Sequence, residues 1–319
     1  MPDSLKQRFH HADLELAAHR FDGPADGPRL IVLGAVHGNE ICGSIAIRQM
    51  LTALDSGELR IRRGSVTFVP VANPLAWKQR SREGERNLNR CLQPTEQPQQ
   101  FEDHVANWLC PLLAQHDALL DLHSFHTPGE PFVMLGPEDN SGTLEPFARA
   151  AEERALAQHL GIRRFVDGWL DTYARGVERR RASDTAADPR YGVGTTEYMR
   201  SQGGYGVTVE CGQHDDPQAI AVARTCILNT LAFLGFIDEP PPAAVRRIEH
   251  LRMFDVIDRE HPDDRFARNW DSFDPVRAGT PVGTRADGRS VTAPRDGCIL
   301  FPNPDAAPGR EWFYLAAPV

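Results

Sequence analysis

The chain has 319 residues, of which 41% are hydrophobic and 25% are charged. Such a length predicts about two domains, and such a composition excludes a disordered or a fibrous protein. No run of about 18 apolar residues occurs, so we expect neither a membrane span nor a membrane partner. The formal net charge of −9 argues against a nucleic-acid partner. It leaves room for a small anionic substrate, because a local group of arginines can reverse the sign.

The six cysteines are scattered along the chain, and no two of them are spaced as CxxC. The first residues lack the apolar core of a secretory signal. We therefore expect reduced thiols and a cytoplasmic protein. No lysine follows Lys78, which excludes a downstream attachment site for a lipoyl or biotinyl group.

Strands and helices alternate in the first three quarters of the chain. Near-continuous apolar runs, typical of strands buried on both faces of a parallel sheet, cover residues 29–36, 65–71, 117–122 and 206–210. Helical spacing of apolar residues covers 41–54, 101–115, 143–160 and 217–236, and Pro111 is expected to kink or divide the second of these helices. The order of these elements predicts an α/β fold.

The character of the sequence changes after a proline-rich segment at residues 238–245. Turn signals every few residues between short apolar stretches predict β-structure over 275–300. We therefore predict a catalytic domain over residues 1–240 and a smaller all-β domain over 241–319. The first should contain a mixed, mostly parallel sheet flanked by helices.

Polar residues follow three of the predicted strands. His37 and Glu40 lie in the HGNE segment after the first strand, His123 ends DALLDLH, and Glu210 ends GVTVE. Ligands of open α/β sheets gather at the carboxyl ends of the strands. Two histidines and a glutamate there form a His2Glu zinc site with one position left for water, and a further carboxylate, Glu210, can act as general base. An isolated HxxE is a weak signal, and a surface turn is the alternative.

Two residues near His123 in the sequence, Asp121 and His126, have more than one possible role at the predicted metal site. Asp121 lies two residues earlier, on the same face of the predicted strand. It can accept a hydrogen bond from a ligand histidine, or it can cap the following turn. His126 is a rival ligand, although it lies beyond the strand end in a loop with Pro128 and Gly129.

A polar segment between His37 and His123 contains Arg82, Asn89 and Arg90. An arginine binds a carboxylate through two parallel hydrogen bonds, and an arginine near a metal stabilises an oxyanion. In an arginine-rich protein the same residues are also compatible with an ordinary polar loop.

The ordered motifs GAVHGNE, Asn-Pro at 73–74, Arg82 with Asn89-Arg90, DLHS and VTVECG resemble the succinylglutamate desuccinylase/aspartoacylase family, which is related to the zinc carboxypeptidases. The resemblance runs from about residue 29 to the end of the chain. It implies a zinc carboxypeptidase-like fold with a small C-terminal β-domain.

The resemblance also implies roles for individual residues. His37, Glu40 and His123 would bind one zinc ion, and Glu210 would be the catalytic glutamate. Arg82 would polarise the substrate carbonyl.

Further roles implied by the resemblance concern substrate binding. Asn89 and Arg90 would hold a substrate carboxylate. Arg200, ten residues before Glu210, fits a further substrate-binding arginine of aspartoacylases.

The sequence departs from the aspartoacylase pattern at two places. Thr196 stands where that pattern has a tyrosine, with Tyr198 nearby. Tyr314 is only a candidate for the late tyrosine of the C-terminal domain. The acyl group and the amino acid of the substrate therefore stay open.

We predict a zinc-dependent amidohydrolase, with one Zn²⁺ per chain, that cleaves the amide bond of an N-acyl amino acid or related small carboxylate. The alternatives are a carboxypeptidase-type peptidase acting on short peptides and a non-catalytic relative. The expected partner is a small anionic molecule, and the sequence leaves open whether the chain forms a homo-oligomer.

Two other enzyme classes are disfavoured. The absence of GxSxG argues against a serine hydrolase, and the absence of a strand-linked GxGxxG argues against a dinucleotide enzyme.

Overall fold

The computed structural model describes residues 5–11, 13–180 and 188–319. The helices are α1 (Cys42–Ser56), α2 (Pro74–Gln79), α3 (Phe101–Ala114), α4 (Ala150–Gln158), α5 (Trp169–Arg180), α6 (Thr195–Ser201) and α7 (Gln218–Phe233). The strands are β1 (Leu5–His11), β2 (Leu14–Asp22), β3 (Arg29–Gly34), β4 (Ser65–Val69), β5 (Ala118–Phe125), β6 (Phe132–Met134), β7 (Arg164–Asp167), β8 (Tyr205–Gln213), β9 (Glu249–Asp258), β10 (Arg265–Phe266), β11 (Pro275–Val276), β12 (Pro281–Thr284), β13 (Ser290–Thr292), β14 (Gly297–Leu300) and β15 (Glu311–Pro318).

A twelve-stranded sheet forms the centre of the fold, in the order β1-β2-β4-β3-β5-β8-β6-β7-β9-β15-β14-β11. Its middle strands β4, β3, β5 and β8 are parallel, while β2 and β6 join them in the antiparallel sense. All residues of β5 and the last five of β3 are buried, as the continuous apolar runs predict. The predicted α/β class with a mixed sheet is confirmed.

Successive residues of β3 pack on opposite faces of the sheet. Leu30 and Val32 belong to the hydrophobic cluster that α1 and α7 cover. Ile31 and Leu33 belong to the cluster that α3 and α6 cover. The alternation of a strand therefore accounts for both helix layers, and the layers leave the carboxyl ends of the strands open for a site.

The C-terminal strands continue the same sheet. β9 pairs in parallel with β7, and β15, β14 and β11 follow it. β10, β12 and β13 form a separate three-stranded sheet. The domain boundary predicted at residues 240/241 lies between α7 and β9 and stays a prediction.

Two predicted helices differ from the structure in detail. α3 runs through Pro111 without division. The helix predicted over 143–160 begins only at Ala150, because a β-bridge between Asn140 and Phe147 occupies the preceding segment. Pro146, inside that segment, has no backbone N–H to donate to a helix.

Within the described residues, no helix combines the length and the hydrophobicity that crossing a bilayer requires.

Candidate metal centre and active site

The three sheet strands that end in polar residues bring those residues to one edge. β3, β5 and β8 are adjacent and parallel, and His123 on β5 is in register with Glu210 on β8. His37 and Glu40 lie in the turn between β3 and α1, where the Glu40 N–H donates to the carbonyl of His37 at 3.2 Å. Gly38 allows this turn to contact α2, because a Cβ there would lie 2.0 Å from the carbonyl carbon of Ala76.

The ligand atoms of His37, Glu40 and His123 all lie within 4.8 Å of one another, and the three residues are almost fully buried. Glu40 Oε2 is 2.8 Å from His123 Nδ1. Glu40 Oε1 is 2.9 Å from His37 Nδ1, yet this nitrogen has no hydrogen-bond partner. A buried nitrogen without a partner, beside a second imidazole and a carboxylate, fits the donor set of Zn²⁺.

The opposite nitrogens of the two imidazoles are held by oxygen acceptors. His37 Nε2 lies 3.1 Å from Asn87 Oδ1, and His123 Nε2 lies 2.9 Å from Asp121 Oδ2. Each acceptor requires the proton on Nε2, which leaves the Nδ1 lone pair for a metal. Of the two alternatives left open for Asp121, the structure shows the hydrogen bond with His123.

Asn87 was missed from the sequence. Its Oδ1 also accepts the backbone N–H of Asn89 at 2.9 Å, so one amide joins a candidate metal ligand to the Asn-Arg pair. The only available signal was its place two residues before Asn89, which is too common a spacing to identify it.

The electrostatics of the centre favour a bound cation. Burial, assisted by the charge of Arg82, lowers the pKa of His37 to about 4, so its imidazole is neutral. Burial also lowers the pKa of His123, but the carboxylates of Asp121 and Glu40 outweigh it and raise that pKa well above its usual value. Two carboxylates that stabilise a positive charge on an imidazole will also stabilise a metal ion in contact with it.

Glu210 lies beside this centre with a buried side chain, and its Oε2 has no hydrogen-bond partner. Burial and the neighbouring charge of Glu40 raise the pKa of Glu210 to about 8. A carboxyl group with a pKa near neutrality can both accept and return a proton, which suits a general base that later acts as an acid.

A cavity of about 180 Å³ opens at this edge of the sheet. Every predicted site residue except Glu40 lines it, namely His37, Arg82, Asn89, Arg90, His123, Arg200 and Glu210. The C-terminal part of the chain contributes Phe301, Asn303, Glu311 and Tyr314. The enclosed shape results from both parts of the chain meeting over the strand ends.

Arg82, Asn89 and Arg90 lie on one wall of the cavity. The half-exposed Arg82 donates through Nη1 to Glu40 Oε1 at 3.1 Å. The Asn89 side-chain oxygen accepts the backbone N–H of Thr195 at 2.9 Å, which fixes its amide. The guanidinium of Arg90 lies 4.7 Å from the ring centre of Trp169, and among the described residues no carboxylate pairs with it. This wall can therefore bind an anionic group.

Arg200 lines the cavity, and buried carboxylates surround its guanidinium. Its Nε donates to Glu153 Oε2 at 2.8 Å, and its Nη1 donates to Glu145 Oε1 at 2.7 Å. Its Nη2 donates to the carbonyl of Gly206 at 2.9 Å and to Glu153 Oε1 at 3.0 Å. Buried carboxylates thus use most of the donors of the guanidinium, and the predicted part of Arg200 in substrate binding stays a prediction.

The further candidates from the sequence, His126, Tyr198 and Tyr314, differ in their surroundings. His126 donates from Nε2 to the carbonyl of Pro302 at 2.7 Å and lies outside the group of metal donors. The Tyr198 hydroxyl bonds with Cys110, away from the cavity lining. Tyr314 does line the cavity, fully buried, with a hydroxyl that has no partner.

Ser124 and His214 are further cavity residues that the sequence did not identify. The Ser124 hydroxyl lies 2.9 Å from His214 Nδ1, and the Ser124 N–H donates to Glu40 Oε2 at 3.2 Å. This pair shapes the wall next to His123.

Residues 26–161 match the family model described as the succinylglutamate desuccinylase/aspartoacylase catalytic domain. This range contains His37, Glu40 and His123, whereas Arg200 and Glu210 lie beyond it. The resemblance inferred from the motifs is thereby confirmed. No curated protein matches the chain in sequence.

Solved structures share the fold over nearly the whole chain. A succinylglutamate desuccinylase/aspartoacylase from Rhodobacter sphaeroides is 19% identical with a TM-score of 0.75, covering 99% of this chain and 96% of that one. The product-bound ectoine utilization protein of Ruegeria pomeroyi is 18% identical with a TM-score of 0.74, covering 98% and 94%. The succinylglutamate desuccinylase of Vibrio cholerae is 18% identical with a TM-score of 0.71, covering 100% and 92%. At such identities the likeness establishes the fold.

Proposed function

We propose, since residues 26–161 belong to the succinylglutamate desuccinylase/aspartoacylase catalytic-domain family, that the chain is a zinc-dependent hydrolase of N-acyl amino acids or related small carboxylates. The family is one of deacylases that hydrolyse amide bonds. The observation that carries the zinc dependence is the buried group His37, Glu40 and His123, in which both Nδ1 atoms face the Glu40 carboxylate and both Nε2 atoms face oxygen acceptors.

Each residue has a defined part in the proposed reaction. The two Nδ1 atoms and the Glu40 carboxylate would hold one Zn²⁺, which when bound supplies a Lewis acid for the carbonyl and a water of lowered pKa. Glu210 takes a proton from the attacking water and returns it to the leaving amine. Arg82 turns from Glu40 to the developing oxyanion and donates to it.

The substrate is held by arginine and asparagine side chains of the cavity lining. Arg90, which among the described residues has no carboxylate partner, binds the substrate carboxylate together with Asn89. The partner is thus a small carboxylate, as the net charge and the local arginines allow. The six free cysteines support a reduced, cytoplasmic setting.

A small substrate is favoured over a peptide. Four residues from beyond position 300 cover the cavity, and a peptide chain would need an open groove there. A non-catalytic relative is disfavoured, because the donor group and Glu210 are all in place.

The proposal is tested by metal analysis of the purified chain together with parallel hydrolysis assays. N-acyl amino acids and short peptides of matched composition are offered to the zinc-loaded protein and to protein treated with a chelator. We expect one zinc per chain and zinc-dependent release of the amino acid from the N-acyl substrates only. Preferential cleavage of peptides would favour the peptidase, and no turnover with no bound zinc would favour the non-catalytic relative.

A further inference from the structure

We propose, building on the proposed function, that the cavity selects N-acyl amino acids whose side chain ends in an amine rather than in a carboxylate. The inference concerns six residues of the cavity lining, namely Met134, Leu135, Thr196, Glu197, Arg200 and Thr208. We call these six residues the inner subsite.

The inner subsite has no cation left for an anionic side chain. Among the described residues, the arginines and lysines that line the cavity are Arg82, Arg90 and Arg200. Of these three, Arg200 alone belongs to the inner subsite. Four of its five N–H donors are used on Glu153, Glu145 and Gly206. The donor that remains is on Nη1, and Glu197 Oε1 already lies 3.6 Å from that atom, so a substrate carboxylate placed here would face a competing carboxylate.

Carboxylates outnumber the guanidinium around the inner subsite. Glu145 and Glu153 bind Arg200 directly, and Glu197 Oε1 lies 3.6 Å from its Nη1. Burial raises the pKa of Glu145 to about 7, and the charge of Glu197 adds to the rise while Arg200 opposes it. The surroundings of Arg200 therefore carry an excess of negative charge, which repels an anion and attracts an ammonium group.

Glu197 brings part of this charge to the cavity surface. Its Oε2 accepts the N–H of Gly194 at 2.9 Å, at the start of α6, which fixes the carboxylate in place. Thr196 donates to Oε1 at 3.3 Å. A carboxylate fixed in this way is a preorganised partner for a substrate amine.

The cavity shows independently that it is built for a polar ligand. Glu210 Oε2 and the Tyr314 hydroxyl are both more than nine-tenths buried, line the cavity and have no hydrogen-bond partner. Such groups are costly unless a ligand or water satisfies them.

The cavity lining also contains surface that suits a methylene chain. Thr208 lies two residues before Glu210 on β8, hence on the same face, and its register partner on β6 is Met134. Met134 and Leu135 both line the cavity. The lining thus combines apolar side chains with a fixed carboxylate, which suits the methylene groups and the terminal amine of an aminoalkyl side chain.

The test compares three N-acetyl amino acids of similar size on the zinc-loaded protein: ornithine with a cationic side chain, norleucine as its neutral isostere, and glutamate with an anionic one. We expect kcat/KM for the ornithine substrate to exceed that of norleucine by at least tenfold, and glutamate to fall at least tenfold below norleucine. A glutamate substrate that is hydrolysed best would overturn the inference and leave the proposed function intact.

Variants of Glu197 and Glu145 then test whether these carboxylates cause the preference for a cationic side chain. Glu197→Gln should lower the ornithine-to-norleucine ratio at least fivefold, and Glu145→Gln, which does not line the cavity, should lower it in the same direction. Glu138→Gln, an exposed glutamate outside the cavity, is the matched control and should keep the wild-type ratio. An unchanged ratio in both test variants would contradict the inference.

Binding of the free amino acids by calorimetry separates the two proposals. Ornithine should bind more tightly than norleucine or glutamate, and Glu197→Gln should remove the difference. If no substrate is hydrolysed, the proposed function fails, while the order of binding still decides the charge preference.

Discussion

At the scale of single residues, metal binding at the candidate centre depends on which nitrogen of each histidine carries the proton, as well as on which side chains are present. An imidazole binds zinc only through an unprotonated nitrogen, and here Asn87 and Asp121 determine which nitrogen that is. The side-chain oxygen of Asn87 also accepts a hydrogen bond from the backbone N–H of Asn89, the residue before Arg90. One amide therefore links the orientation of His37 to the backbone of the proposed substrate-binding pair Asn89 and Arg90.

We predict that Asn87→Ala weakens zinc binding by about 10- to 100-fold, because His37 loses the acceptor that fixes its tautomer. Competition with a chromophoric chelator measures the affinity. Asn269→Ala, at an exposed asparagine, is the control and should bind zinc normally. Unchanged affinity in Asn87→Ala would show that the ring is positioned without this hydrogen bond.

Removing the charge of Glu210 should separate binding from catalysis. Glu210→Gln keeps the shape of the side chain but cannot take a proton, so we expect kcat to fall by at least about 100-fold. Zinc content should stay at the wild-type level, because Glu210 is not among the metal donors. Near-normal turnover in this variant would remove Glu210 from the mechanism.

At the scale of elements, the predictable part of the site is the part that lies on buried parallel strands. β3, β5 and β8 are covered on both faces, so their sequences are apolar and their polar ends are conspicuous. That is why His37, His123 and Glu210 were found from the sequence.

The features that the sequence did not reveal depend on contacts between distant segments. The partners of Arg200 come from the segment before α4 and from α4 itself, some 50 residues earlier in the chain. Spacing to Glu210 identified the arginine but carried no information on which carboxylates would surround it. The hairpin β1–β2 was missed for a related reason, because its mixed polar sequence is stabilised by pairing with β4 and not by its own pattern.

A loop in the C-terminal region provides a prediction on stability and pH. Asp264 is buried and accepts hydrogen bonds from Arg285 and from the backbone N–H groups of Glu260, His261 and Ala286. Burial opposes ionisation, but these donors outweigh it and lower the pKa of Asp264 to about 2. Because the folded pKa lies below the unfolded one, the ionised carboxylate stabilises the fold above pH 4 or so, and this is lost as the pH falls toward about 2.

We therefore expect Asp264→Asn to lower the free energy of unfolding at pH 7 by about 2 kcal/mol, with a difference that shrinks as the pH falls. Urea unfolding of wild type and variant between pH 7 and pH 3 measures it. Asp263→Asn, at the exposed neighbour, should change stability little. A difference independent of pH would mean that shape, and not charge, stabilises the loop.

At the scale of the whole molecule, the two predicted domains share one sheet and one cavity. β9 pairs with β7, and Phe125, Phe132 and Val166 pack in the same hydrophobic cluster as residues of β9, β14 and β15. Tyr314 and its neighbours line the cavity at the strand ends together with residues of the first part of the chain. The C-terminal region is thus a structural part of the catalytic unit in this fold.

This continuity predicts that residues 1–240 do not form a stable, soluble unit alone. Removing 241–319 exposes the edge of β7 and the apolar side chains of Phe125 and Phe132, and an exposed hydrophobic strand edge promotes aggregation. Expression of the 1–240 fragment beside the full chain, followed by size-exclusion chromatography and thermal unfolding, tests the expectation of aggregation. A fragment that stays monomeric and unfolds at the temperature of the full chain would show that the cluster is dispensable and that the boundary at 240/241 separates independent domains. Because β9 supplies the backbone partner of β7, we expect the opposite result.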